Sequence, residues 1–440
     1  MTTDLNAISL RPGDEGYDSA ATVYMRRGSP SLVVRPRSPE DVAAAIRQAV
    51  ATGLPLSVRS GGHSALAWGT NDGGVVIDLA ELAAVDVIDE AAARVRVGAG
   101  APWGAVASTL AGHGLALTSG DTRSVGVGGL TTGGGIGWMV RNHGLTIDSL
   151  VAAEVVTADG RCLRASANEH PELFWAIRGG GGNFGVVTAF EFVAQPDTTV
   201  HAGWIKYSVD DVPTLLQGWA QAHRAAPEEL NSTLVLMPGL PEPMPPAGAM
   251  GLVLYAGSDQ AAADAAFAPL LALGTVVMSE ITEKPYADVL EEPHPPPGMK
   301  ALAHNTLVRS LDDALITAVT DWYDSGNASR LAFVRALGGA VNRVEADATA
   351  FAHRDVEALV VGAVFGPEDA RDEELQDRLR PFEALHALGA GSYSGFVGTD
   401  LPEDLRRIYP PATLARLRQV KRRYDPGNVF RSNFNITPEQ

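Results

Sequence analysis

Glycine gathers in three runs between residues 61 and 185: Gly61-Gly62 ahead of His63, GVGGLTTGGGIG from Gly126 to Gly137, and GGGGNFG from Gly179 to Gly185. Backbone without side chains lets N–H groups approach an anion closely, so a pyrophosphate is the guest such runs suit. Tight turns and close packing would explain any one run; three in succession favour a nucleotide. Gly180–Gly185 also fits G-x-G-x-x-G, but a dinucleotide fingerprint follows a strand and opens a helix. Here it follows the helical HPELFWAIR and opens the β-rich VVTAFEF, so the match is spurious. No G-x-x-x-x-G-K-[S/T] occurs, which removes a P-loop. The ten histidines are scattered without H-E-x-x-H, so no metal site is expected. On its own, a histidine after Gly-Gly reads as structural.

The elements that must carry these loops are legible. SLVVRP reads as a strand, and Ser38 caps a helix with Pro39 at its first position and Glu40 and Asp41 in its first turn. LPLSVRS is a second strand that ends in the turn GGHS; VVIDL and ARVRVGAG follow as strands. PWGAVASTLAGHG is a helix closed by glycine. VAAEVVTADGRCLRAS reads as a hairpin with a two-residue Asp159-Gly160 turn. HPELFWAIRGGG is a helix and FGVVTAFEFVAQP a strand. Beyond His201 the strands HAGWIKYSV, STLVLM, GLVLYAG and ALVVGAVFG alternate with longer helices. Two proline-rich loops intervene, LPEPMPPAG and EEPHPPPGM, able to rim a binding surface or merely to link elements. There is no internal repeat.

At 440 residues the chain exceeds one ordinary core, so two domains are expected. A formal net charge of −18 with dispersed arginines disfavours nucleic acid. No apolar run of spanning length occurs, and the acidic start MTTDLNAISLRPGDEG lacks the features of a signal peptide, so a cytoplasmic protein is expected. The single Cys162 excludes an intramolecular disulfide and cysteine-based clusters, and is expected to be inert packing in a strand.

SVRSGGHS, VVIDLAEL, SVGVGGLTTGGGIGWMVRNHGLTIDSL and ELFWAIRGGGGNFGVVTAFEF, in this order, resemble the FAD-binding domain of the vanillyl-alcohol-oxidase superfamily. TAFAHRD (Thr349–Asp355) and RRYDPGNVFRSNFNI (Arg422–Ile436) resemble its berberine-bridge-enzyme-like branch, in particular the bacterial 6-hydroxynicotine-oxidase-like and natural-product oxidases. The resemblance implies an α+β fold: a two-subdomain PCMH-type FAD-binding domain over 31–197 after an arm over 1–30, a substrate domain over 198–395 with an antiparallel sheet backed by helices, and a C-terminal segment over 396–440 returning to the FAD domain. It implies FAD, attached covalently through His63.

By the same resemblance, Arg59, Ser60, Gly61, Gly62, His63 and Ser64 form the pyrophosphate loop. Gly126, Gly128, Gly129, Gly133, Gly134 and Gly135 match the second wall of the pyrophosphate and ribityl channel, and Gly120 and Gly137 are also expected to contact the cofactor. Gly185 and Val187 lie toward the adenine, and Asn433 and Asn435 near the cofactor. Many relatives make a second flavin bond from a cysteine; that position is Thr122 here, so a single link through His63 is expected. Leu130 stands where relatives with plant-type chemistry often have histidine. Val125 is expected beside the flavin, leaving room for O2. Tyr393, in GSYSGFVGTD, matches a strand tyrosine facing the flavin, acting as base or positioning the reacting heteroatom, with Gly395 replacing a frequent asparagine. As a base its phenol would need its pKa lowered or its proton shared through a network. The implied reaction moves hydride from a small alcohol or amine to flavin N5, with reoxidation by O2 to H2O2, in a monomer or homodimer. A dehydrogenase using another acceptor and a non-catalytic flavin-binding homologue are the alternatives.

Overall fold

The computed structural model describes residues 5–24, 26–196, 198–208, 210–237, 248–292, 298–324 and 330–439. The loop LPEPMPPAG lies outside the described residues except for Gly248. Of EEPHPPPGM, only Glu291, Glu292, Gly298 and Met299 are described.

The first sheet is a parallel core, with Val75–Asp78 between Leu32–Val34 and Leu56–Arg59; Ser9–Leu10 pairs antiparallel at its edge. Every residue of Leu32–Val34 and Val75–Asp78 is buried, as expected of parallel strands covered on both faces. The helix Pro39–Thr52 makes the crossover. Ser38 accepts from the Asp41 N–H, and Val42, Ala45, Ile46 and Ala49 face the core.

A five-stranded antiparallel sheet follows, in the order Cys162–Ser166, Leu150–Val156, Val186–Val193, Arg94–Gly98, Val85–Asp89. Its hairpin turns through three residues rather than two. The Thr157 N–H donates to the Arg161 carbonyl, and Gly160 takes φ 79, the left-handed conformation that glycine tolerates without strain. Cys162 opens the edge strand and is exposed, not packed. The Gly179–Gly185 run leaves the helix Pro171–Ile177, makes a turn at Gly181–Asn183 and enters strand Val186–Val193.

Seven antiparallel strands form the third sheet: Val276–Pro285, Thr199–Tyr207, Gly248–Ala256, Leu230–Met237, Arg330–Ala336, Ala358–Pro367, Met299–Val308. Successive side chains of ALVVGAVFG serve opposite faces. Val360 and Val364 pack with Trp219, Val319 and Trp322 of the covering helices Val212–Ala225 and Asp313–Asp324. Leu359 and Val361 pack with Ile136, Val140 and Ile147 from the glycine-rich region. The strand is buried on both faces, which is why its sequence is apolar without alternation.

The chain ends against the first two sheets. Phe434 and Ile436 join their core, the Ser432 hydroxyl donates to the Leu56 carbonyl, and the Asn183 amide binds the Phe434 carbonyl and the Ile436 N–H. A buried ion pair holds the preceding turn. Lys421 Nζ donates to Asp425 at 2.7 Å and to the Asn183 and Phe430 carbonyls at 2.8 Å each, while Asp425 receives the Val429 and Phe430 N–H groups.

Candidate functional site

Strand Leu56–Arg59 delivers the loop Ser60–Ser64 against the loop Gly126–Gly129, and the two backbones nearly touch. A Cβ on Gly61 would lie 2.3 Å from the Gly126 nitrogen, and one on Gly126 would lie 2.0 Å from Ser60 Oγ. Ser60 Oγ donates to the Ala99 carbonyl at 2.6 Å and accepts the Gly128 N–H at 3.2 Å, fastening the crossing. A Cβ on Gly129 would meet nothing within 4 Å. The crossing therefore exposes bare backbone.

Other predicted glycines serve packing in this structure. A Cβ on Gly137 would lie 1.5 Å from the Ser119 carbonyl oxygen, one on Gly120 2.6 Å from Leu130, and one on Gly185 2.7 Å from Val155. Gly133 approaches Ser394, and Gly134 and Gly135 take positive φ of 127 and 82. Val187 is buried in its strand. Arg59 Nη1 donates to the Ser19 and Ala20 carbonyls. Ser64 caps its own turn, accepting the Leu66 N–H. Asn433 and Asn435 each keep a buried side-chain oxygen without a hydrogen-bond partner among the described residues.

His63 is half-buried at the crossing. Its Nε2 lies 2.7 Å from Ser124 Oγ, and its ring stacks on Tyr24 with centroids 5.0 Å apart. Burial lowers its pKa, and Glu292 opposes that shift. Glu292 follows the edge strand Val276–Pro285 of the seven-stranded sheet. Glu291 pairs with Thr122, the Arg123 N–H donates to the Glu291 carbonyl, and Ser124 gives both its N–H and its O–H to the Glu292 carboxylate. Thr122 carries no thiol. Val125 is half-buried, its carbonyl accepting the Trp103 N–H.

Tyr393 lies beside Gly134–Ile136. Its segment is not a strand: it runs irregularly along the edge strand Met299–Val308, with one bridge from Leu307 to Gly391 and a turn at Ser394–Phe396. Asn305 clamps it, accepting the Tyr393 N–H at 2.7 Å and donating to its carbonyl at 2.8 Å. The ring is 5% exposed, among Phe351 and Phe396. Burial pushes the phenol up to about 12, against hydrogen bonds from the Gly135 and Ile136 N–H groups. That is opposite to the lowering a phenolate base requires. Gly395 has a local cause, because a Cβ there would lie 2.5 Å from the Tyr393 ring.

Sequence reasoning missed the polar wall nearby. Arg335 binds Asp121 at 2.5 Å and Thr233 at 2.8 Å, and its guanidinium lies 5.3 Å from the Trp138 ring centroid. Arg335 Nη1, Asp121 Oδ1 and Trp138 Nε1 are buried without partners among the described residues. The ion pair cancels its own charge, so this wall is polar but neutral. Neither partner stands in a recognisable motif.

A family model described as an FAD binding domain matches residues 30–166, and one described as berberine and berberine like matches residues 392–437. (R)-6-hydroxynicotine oxidase of Paenarthrobacter nicotinovorans is 32% identical, over 98% of this chain and 96% of that protein. The crystal structure of 6-hydroxy-D-nicotine oxidase from Arthrobacter nicotinovorans matches with a TM-score of 0.86 and 30% identity over 98% of each chain. Glucooligosaccharide oxidase from Acremonium strictum, a structure described with a 6-S-cysteinyl, 8α-N1-histidyl FAD, matches with a TM-score of 0.85 and 25% identity over 99% of this chain and all of that one.

Proposed function

The chain belongs to the berberine-like FAD-linked oxidoreductases, and from that premise we propose that it is an oxidase of a small alcohol or amine that holds FAD by one covalent bond, at His63. The observation that carries this reading is the close crossing of two glycine-rich loops beside a half-buried histidine. Such a cradle fits a pyrophosphate and ribityl chain, and the unpartnered amide oxygens of Asn433 and Asn435 fit a polar ligand. Gly61–Ser64 and Gly126–Gly129 would hold the pyrophosphate and ribityl portions, with Gly133–Gly135 along the same wall and Gly185 and Val187 toward the adenine. FAD supplies the redox chemistry when bound, taking a hydride from the substrate carbon and giving the electron pair to O2, released as H2O2.

The protein's part is to bind, orient and exclude. Tyr393 keeps its proton, because its burial outweighs the Gly135 and Ile136 N–H groups that favour the phenolate. It therefore donates its O–H to the substrate's oxygen or nitrogen and aims the neighbouring C–H. The self-neutralised Asp121–Arg335 pair favours a neutral substrate over an ionic one. Thr122 offers no second link, and Val125 leaves space for O2.

The test is anaerobic bleaching of the flavin by sugars, hydroxylated polyketides and cyclic amines, followed by oxygen uptake on admitting air. Acid-precipitated wild-type protein should keep its flavin fluorescence and His63→Ala should lose it. Flavin released by acid from wild type would refute the attachment, and bleaching without oxygen uptake would refute the oxidase reading.

A further inference from the structure

We propose that Glu292, acting through Ser124, is the positioning residue that fixes the tautomer of His63 and removes its Nε2 proton when the flavin bond forms. The inference rests on the attachment at His63 proposed above. It adds which residues set the tautomer of His63 and what disposes of its proton.

The hydrogen-bond directions decide the tautomer. A carboxylate only accepts, so the Ser124 hydroxyl spends its proton on Glu292 and has only lone pairs left for His63. The histidine proton therefore sits on Nε2, donated to Ser124 Oγ. Nδ1 makes no hydrogen bond among the described residues and carries the free lone pair. The Ser124 N–H donates to the same carboxylate at 3.1 Å, so the serine is held at two points and its oxygen cannot turn away. Burial keeps the imidazole neutral, as a nucleophile must be.

The chemical balance calls for such a relay. Joining His63 Nδ1 to the 8α carbon of the flavin forms one N–C bond and breaks one C–H bond. The C–H electron pair passes through the ring to O2. The C–H proton and the Nε2–H proton are both released, and O2 leaves as H2O2. Once Nδ1 is alkylated the imidazole is cationic until Nε2 sheds its proton. The Ser124 hydroxyl and the Glu292 carboxylate stand at that proton, and the Tyr24 face lies against the cation as it forms. Glu292 is brought there by the Thr122–Glu291 pairing, so attachment is coupled to docking of the seven-stranded sheet's loop onto the glycine-rich face.

Full-length protein from riboflavin-starved cells, mixed with FAD in air, tests this through the growth of acid-stable fluorescence, independent of any substrate. Glu292→Gln and Ser124→Ala should bind FAD yet gain acid-stable flavin roughly 10²-fold more slowly, the low end for a lost proton-transfer partner. Glu292→Asp and Ser124→Thr, which keep the carboxylate and the hydroxyl, should recover most of the wild-type rate. Wild-type rates in Glu292→Gln and Ser124→Ala would overturn the relay and leave the attachment standing. Failure of both conservative variants to rescue, or loss of FAD binding in Glu292→Gln, would also overturn it. Wild type that holds FAD but never becomes fluorescent after acid would overturn the attachment and the relay together.

Discussion

Replacing Tyr393 by phenylalanine separates a base from a hydrogen-bond donor. The phenol is raised from its ordinary 10 to about 12 by burial, in spite of the Gly135 and Ile136 N–H groups. Two pKa units correspond to roughly 3 kcal/mol against the phenolate, or about one ionised molecule in 10⁴ at pH 8. A base so rarely formed would forfeit most of its advantage, whereas an O–H donor loses nothing. Removing one such hydrogen bond costs about 0.5–1.5 kcal/mol, so Tyr393→Phe should slow flavin reduction by about tenfold or less. Flavin content should be unchanged, because the ring packing among Phe351 and Phe396 is kept. The assay is anaerobic stopped-flow reduction, with the substrate found by bleaching, between about pH 6 and 10. A loss of roughly 10²–10⁴-fold, together with a wild-type rise below about pH 9 that vanishes in the variant, would refute the donor reasoning and restore the base.

Val125→Leu should slow reoxidation of the reduced enzyme by O2 and leave anaerobic reduction unchanged; equal reoxidation rates would remove the gating role. Lys421→Ala leaves Asp425 buried and unpaired, and should cost about 3–5 kcal/mol in urea unfolding; a cost under about 1 kcal/mol would mean that water replaces the lysine. His223 is held down to about 3 by burial and by Arg141, and His386 to about 3 by burial, His304 and Arg407. The fold favours the neutral rings, so their stabilisation is complete above the unfolded value of 6.5 and is lost as pH falls from 6.5 toward 3. The melting temperature should drop across that window, and a flat profile from about pH 7 to 4 would contradict it.

What could be read from the chain were features written into neighbouring residues. Ser38-Pro39 marks its helix because a cap needs only the next three positions, and glycine runs are visible because backbone exposure is a local property. The contacts that finish the site are not local. Glu292 reaches Ser124 across 168 positions and Arg335 reaches Asp121 across 214, and a single ion pair leaves no periodic trace. The Tyr393 segment misleads because its backbone partners are the side chain of Asn305 and isolated carbonyls rather than a ladder. Cys162 misleads differently: a strand position predicts burial only if the strand is not at the rim. The three-residue turn at Gly160 escaped because Asp159-Gly160 suits two turn lengths.

The return of the chain end to the first two sheets has a consequence for the order of biosynthesis. Asn183 is translated about 250 residues before the Ile436 amide that it binds, and the seven-stranded sheet is made in between. On the ribosome, the glycine loops therefore emerge early but wait with Phe434, Ile436 and the Lys421 knot still missing from their core. The segment that carries Asn433 and Asn435 can close only after the seven-stranded sheet has been made. Cofactor capture then waits for Phe434 and Ile436 to be made, and a truncation just before Phe434 should leave the chain without its flavin.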